Sequence, residues 1–320
     1  MKPTRDLNTQ PERHKAKREP PFSEHGWQAR ATSAITLAGA FCWVLALNPG
    51  AKSQEASTAA ALSRPAKSWA ADCAKKEESV IQHPGSYLRY RLHEVNQKGD
   101  MLRDQIETPQ GTVARLIERS GRPLTAEEDA AERSRLNAMI ASPGDFARHV
   151  RRDDEGKKSA LDMLRMMPDA MVWSYAPGQP QLAGHRADEP ALIVLDFKPD
   201  PKWSAPSMES ELLTGLEGRI WIEPRTARLV RMQADIFKAV NVGWGFVAHV
   251  YPGGKVTLDQ TSAGEGRWMV RHFDEQFTLR ALLVKSVRQQ TTTDTSDYQT
   301  VTAMPYQKAI QMLFATPLPH

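Results

Sequence analysis

Residues 86–93 alternate strictly: Tyr87, Arg89 and Arg91 fall on one side, and Leu88, Tyr90 and Leu92 on the other. A period of two marks a strand with one buried face. The turn 96–100 carries Gly99 where positive φ is needed, and 101–107 returns as a second strand. A third strand covers 112–119, ending in the two-residue hairpin loop Ser120-Gly121. The pattern then changes to helix. Thr125 and Glu128 make a T-x-x-E capping box opening a helix over 126–141, and Ser142-Pro143-Gly144 stops it. A second helix over 145–167 is charged in its middle and apolar at Leu161, Met163, Leu164, Met166 and Met167. Strands return at 171–175, 191–197, 218–223, 227–236, 245–251, 255–260, 267–273 and 277–289, with a short helix near 208–213. An earlier helix covers 71–82. Consecutive strands with short turns predict an antiparallel sheet. With the helices inserted as a block, the class is α+β: a large curved sheet with helices on one side.

The region ahead of the sheet has a different character. Residues 31–51 contain no charged side chain, and the apolar run is densest over 35–47. Residues 1–30 hold seven basic and four acidic side chains. A basic stretch, an apolar core and a small-residue exit are the parts of an export signal. Two readings stay open: a signal cut near Ser53, or an uncleaved inner-membrane anchor with the body outside. A core helix of a cytosolic protein is the third, and nothing nearby resembles a domain for it to join. Residues 1–30 are expected in the cytoplasm and the remainder in the periplasm. Residues 52–71 are Ala/Ser-rich and read as a linker, 72–302 as the folded domain and 303–320 as a C-terminal tail.

Charge then excludes one class of partner. The chain is formally +4, but the excess lies in 1–30 and Lys52, leaving 53–320 neutral. A basic footprint for nucleic acid is therefore missing from the body. Two cysteines cannot make a disulfide framework.

Catalytic and metal motifs are missing too: no G-x-S-x-G, Walker loop, H-E-x-x-H, C-x-x-C or EF-hand loop occurs. The expectation is a non-enzyme without cofactor or metal. His249 and His272 lie on strands and could approach each other, with the alternative that they are ordinary surface or core histidines. The run Asp153-Asp154-Glu155 among Arg151, Arg152, Lys157 and Lys158 reads as a solvated, self-paired helix face. The Thr-rich 291–298 reads as a polar loop or strand edge.

What remains is apolar material: Trp173, Trp221, Trp244, Trp268, Phe246, Phe273 and Phe277 among the strands, and a methionine cluster at the end of the second helix. Methionine suits adaptable apolar surfaces. One reading is core filling; the other is an apolar groove for an acyl chain, with Trp173, Trp221, Met163, Met167 and Phe246 as lining residues. Trp221 is set against Ile220 and Ile222, which face the other way; one of these two faces must look into the core.

The stretches 114–136 (ARLIERSGRPLTAEEDAAERSRL) and 216–236 (LEGRIWIEPRTARLVRMQADI) resemble a family of exported bacterial proteins that are similar to the lipoprotein-carrier (LolA/LolB-like) superfamily and related outer-membrane lipoprotein-sorting proteins. The resemblance covers roughly 86–299. It implies a half-barrel of about eleven antiparallel strands with helices as a lid over an apolar cavity. It also implies a lipid or acylated protein as ligand, carried in lipoprotein or lipid trafficking. The alternative is a structural domain whose sheet edge or helix lid docks an envelope protein.

Overall fold

The computed structural model describes residues 61–319 except 84, 187–188, 243–247, 265 and 282–284. Residues 1–60, with the export segment and most of the linker, lie outside the described residues, as does Phe246. No helix among the described residues is long and apolar enough to cross a membrane.

The alternating segments form one antiparallel open sheet of thirteen strands that does not close into a barrel. Helix α1 (Ala66–Gln82) precedes strands β1 (Tyr87–Asn96), β2 (Gly99–Thr108), β3 (Gly111–Arg119) and the two-residue β4 (Arg122–Pro123). Helices α2 (Ala126–Ala141) and α3 (Pro143–Ala170) follow. The chain then makes β5 (Met171–Tyr175), β6 (Ile193–Pro199), a 3₁₀ turn (Glu209–Gly215), β7 (Leu216–Glu223) and β8 (Arg228–Ile236). Last come β9 (Val240–Val242), β10 (Ala248–Val250), β11 (Gly254–Gly264), β12 (Arg267–Ala281), β13 (Lys285–Val301) and helix α4 (Tyr306–Ala315). The strand order is β4-β3-β2-β1-β13-β12-β11-β8-β7-β6-β5, with β9 and β10 off this path beside β12.

The expected turn chemistry is present. Ser120 and Gly121 both have positive φ, 54° and 69°, as a two-residue hairpin loop of this hand requires. Thr125 Oγ1 accepts from Glu128 N at 3.2 Å, and the Glu128 carboxylate accepts from Thr125 N at 2.9 Å, so the capping box closes on both sides.

Side-chain alternation decides what each helix covers. Leu88 and Tyr90 pack with Val80 of α1, together with Met269 and Tyr298. The same sheet face carries the main core: Ile193, Leu195, Ile220, Ile222, Met232, Leu258, Phe273 and Phe277, covered by α1 (Trp69, Ala70, Cys73) and the end of α3 (Met163, Leu164). The opposite face of β2 and β3 is not left to water. Ile106 and Val113, directly paired, pack against Ala309, Ile310 and Leu313 of α4.

Several elements differ from expectation. The stretch 303–320, expected as a tail, contains α4, whose Ala309, Ile310 and Leu313 are fully buried. The folded body begins ahead of 72, because Trp69 and Ala70 in the supposed linker belong to the core. The Thr-rich stretch is neither loop nor sheet edge: it lies in the 17-residue β13, held between β1 and β12. Every second residue from 291 to 295, Thr291, Thr293 and Thr295, is buried. His249 and His272 do not meet. His249 pairs with Arg280, eight residues along β12 from His272, or ~26 Å at strand rise. His272 Nδ1 instead contacts Asp294 Oδ1 at 2.8 Å.

Candidate functional site

Helix α3 ends in the methionine cluster, and β5 follows without a loop. Met163 and Leu164 are buried in the main core, while Met166 and Met167 are half-buried against it. Pro168 stands in the last turn of α3, where carbonyls lose their helical partners. Its carbonyl accepts from Trp173 Nε1 at 3.3 Å, which lays the indole back over the helix end. The Trp173 ring tilts at 46° against Phe197, with centroids 5.3 Å apart. Tyr175 and Trp203, both half-buried, extend the patch. Met163, Met167 and Trp173 thus all lie in or against the main core, the methionines on the end of α3 and Trp173 on β5 beside Phe197.

Trp221 does not join them. Ile220 and Ile222 take the face toward the helices, so Trp221 points to the other face, clustered with Ala176, Leu182, Leu192 and Val194. Its Nε1 donates to Pro180 O at 2.8 Å. Phe246, the fifth candidate, lies outside the described residues.

Sequence reasoning missed two features around α1. The first is a charged network in the core. Glu77 and Arg228 are both fully buried. Glu77 Oε1 accepts from Leu229 N at 3.0 Å, and its Oε2 accepts from Gln260 Nε2 at 3.2 Å and lies 3.6 Å from Arg228 Nη2. Arg228 Nη2 also donates to Gln260 Oε1 at 3.1 Å, and its guanidinium sits 5.6 Å from the Trp268 ring centre. Burial pushes the Glu77 carboxyl up, against the pull of Arg228 and the two hydrogen bonds. Burial also pushes the neighbouring Cys73 thiol well up, which makes it an inert core residue and not a nucleophile. The network ties α1 to β8 and β11. Among the described residues no group of three or more His, Cys, Asp or Glu could hold a metal ion.

The second feature is an open cleft of ≈ 450 Å³ between α1 and the β7–β8 turn, lined among others by Arg64, Trp69, Asp72, Lys75, Lys76 and Arg225. Arg64 stacks over the Trp69 ring at 4.2 Å and pairs with Asp72 at 2.5 Å. The doublet Lys75-Lys76 and the turn Pro224-Arg225-Thr226 are the sequence signals for it, but they lie about 150 residues apart and nothing local joins them.

No protein-family model matches this chain, and no curated protein matches it.

Proposed function

We propose that this chain is a non-enzymatic cell-envelope protein that binds a hydrophobic ligand, the acyl chain of a lipid or lipoprotein, at the Met163–Met167–Trp173 corner. The observation that carries the reading is the continuity of half-buried apolar side chains with the core. Met166, Met167, Trp173, Tyr175 and Trp203 are partly open to water yet packed against the buried main core, Trp173 directly on Phe197. A patch of flexible thioethers and amphipathic rings can re-pack around a chain without polar partners. The uncharged segment 31–51 after a basic stretch supplies the route to the envelope. The open curved sheet with helices is compatible with the half-barrel of the lipoprotein-carrier superfamily, and the ligand class inferred from that resemblance is the same.

Each methylene moved from water into the corner contributes roughly 0.8 kcal/mol, so a partly buried chain reaches micromolar affinity. The test is titration of the full chain with a fluorescent fatty-acid analogue. Saturable binding that weakens several-fold in Trp173→Ala, with an unchanged circular-dichroism spectrum, supports the reading. No saturable binding by the folded wild-type chain overturns it and leaves the docking-domain alternative.

A further inference from the structure

The cleft beside α1 has a charge composition that the apolar corner does not use. Its lining includes four cationic side chains, Arg64, Lys75, Lys76 and Arg225, and one carboxylate, Asp72. That carboxylate is already taken by Arg64. Among the described residues, Lys75, Lys76 and Arg225 have no ion-pair partner within 4.0 Å. Glu223, at the base of the turn, has its carboxylate engaged by Arg225 N at 3.0 Å, Thr226 N at 2.7 Å and Thr226 Oγ1 at 2.5 Å. Two lysines from a helix and an arginine from a facing turn therefore converge on one open hollow without an anion to answer them.

The two walls are also held at a fixed separation. Glu77, between Lys76 and the core, binds Leu229 N and Gln260, so α1 cannot drift from β8 without breaking a buried charged network. A fixed arrangement loses little freedom on binding. Directly behind the cleft lies Trp69, a cleft residue that is also part of the main core with Met163 and Phe197. Its Nε1 and the Tyr175 hydroxyl donate to the same Ala61 carbonyl, at 3.0 Å and 2.9 Å. Trp69 of the basic cleft and Tyr175, two residues along β5 from Trp173, are thus joined through one carbonyl.

We infer that this cleft, with Lys75, Lys76 and Arg225, binds a phosphate-type anion. Resting on the acyl-chain reading above, the source favoured is the headgroup of an anionic phospholipid whose chain occupies the Met163–Trp173 corner. Lysine and arginine suit a phosphate because each supplies charge-assisted N–H donors, and the open mouth admits a headgroup still attached to its chain.

The experiment uses the full chain, wild type and Lys75→Glu/Arg225→Glu, with a melting curve for each to establish folding; both side chains are exposed. Three ligands are titrated: inorganic phosphate, short-chain phosphatidylglycerol and short-chain phosphatidylcholine. An uncharged acyl alcohol probe is titrated into wild type alone, and it tests the apolar corner without the cleft. The expected result is phosphatidylglycerol binding tighter than phosphatidylcholine, falling at least about tenfold in the double variant, as for loss of one charge-assisted hydrogen bond. Phosphate binding that falls in the variant, with no preference between the two lipids, supports the anion site and identifies free phosphate as its source. Unchanged binding of both anions in the folded variant overturns the inference, whatever the uncharged probe does. Failure of the uncharged probe with a variant-sensitive anion response overturns the acyl-chain reading alone.

Discussion

Glu275 is a carboxylate placed where a hydrophobic residue belongs, and its removal has a calculable consequence. It is 3 % exposed. On its face of the sheet its cross-strand neighbours are Val256 and Thr291, and two residues away along β12 stand the buried rings of Phe273 and Phe277. Its Oε2 has no hydrogen-bond partner among the described residues. Burial pushes the carboxyl up to about 7, a hydrogen bond with Thr291 pulls it back, and Asp274 adds to the rise. The folded protein therefore holds this proton more tightly than the unfolded chain. The stability it contributes is complete below the unfolded value of 4.5 and is lost as the pH rises to about 7. At roughly 1.4 kcal/mol per pH unit, that gap amounts to about 3 kcal/mol. Glu275→Gln keeps the shape and discards the titration. Urea unfolding of both proteins at about pH 4 and about pH 8 isolates the effect, since every other group titrates in both. The expected result is near-equal stability at the acid end and a variant more stable by about 3 kcal/mol at the alkaline end. A stability difference independent of pH would refute the reasoning.

Three further outcomes follow from the packing. Thr125→Ala breaks one arm of the capping box on α2 and costs about 1 kcal/mol, read as a lower urea midpoint with an unchanged slope. Glu77→Ala leaves Arg228 charged in the core and costs about 3–5 kcal/mol, whereas Glu77→Leu/Arg228→Met recovers most of that loss; equal losses in the single and double variants would contradict it. Gly218→Ala places a Cβ against the Gln233 carbonyl and the Ala234 Cα on the next strand, so β7 and β8 cannot pair and the chain is recovered as insoluble protein.

How much of this was legible in the sequence depended on whether the signal was local. The Thr125–Glu128 box, the Ser120-Gly121 loop and the alternation at 87–92 were each readable, because cap, turn and strand face are decided within a few residues. The antiparallel sheet was readable for the same reason, through its short turns. The middle of β13 was not. In TTTDTSDY every residue but the tyrosine is polar, and Thr291, Thr293 and Thr295 are buried in a strand that runs between β12 and β1, one of them 200 residues earlier in the chain. Polar composition suggested a loop, while threonine's branched Cβ suits an internal strand. Helix α4 escaped because its apolar face answers Ile106 and Val113, again about 200 residues away. In the candidate site, Met163 and Met167 on α3 and Trp173 on β5 lie near one another along the chain because α3 runs straight into β5. Trp221 was misplaced because a strand with apolar residues on both faces, Ile220, Trp221 and Ile222, has no alternation to read.

The edges of the sheet bear on the choice between a ligand-binding and a docking protein. An open sheet offers a partner its unpaired backbone groups, and β-augmentation is the common way to use them. At the β3 edge those groups are already engaged. Leu116 N donates to Glu132 of α2 at 2.8 Å, Arg135 Nη2 donates to Ala114 O at 2.7 Å, and His149 Nε2 of α3 contacts Thr112 O at 2.9 Å. The other edge, β5, has only five residues and lies against α1 and α3. Helix α3 reaches both: near its start Phe146 stacks on Tyr306 at 3.6 Å, and at its end Met163 and Ala170 enter the core beside β5. A 28-residue helix is about 42 Å long, enough to cross an open sheet from one side to the other. At the two ends of the main strand path, a partner seeking an edge would have to displace α2 and α3 at one end, or make do with a few residues at the other. Among the described residues, another surface is the junction of α1, the end of α3 and the β7–β8 turn, where half-buried apolar side chains packed on the core lie near a cleft with three unpaired basic side chains. On the reading proposed above, a chain with a charged head would use both parts of that junction, whereas docking through a strand edge would use neither.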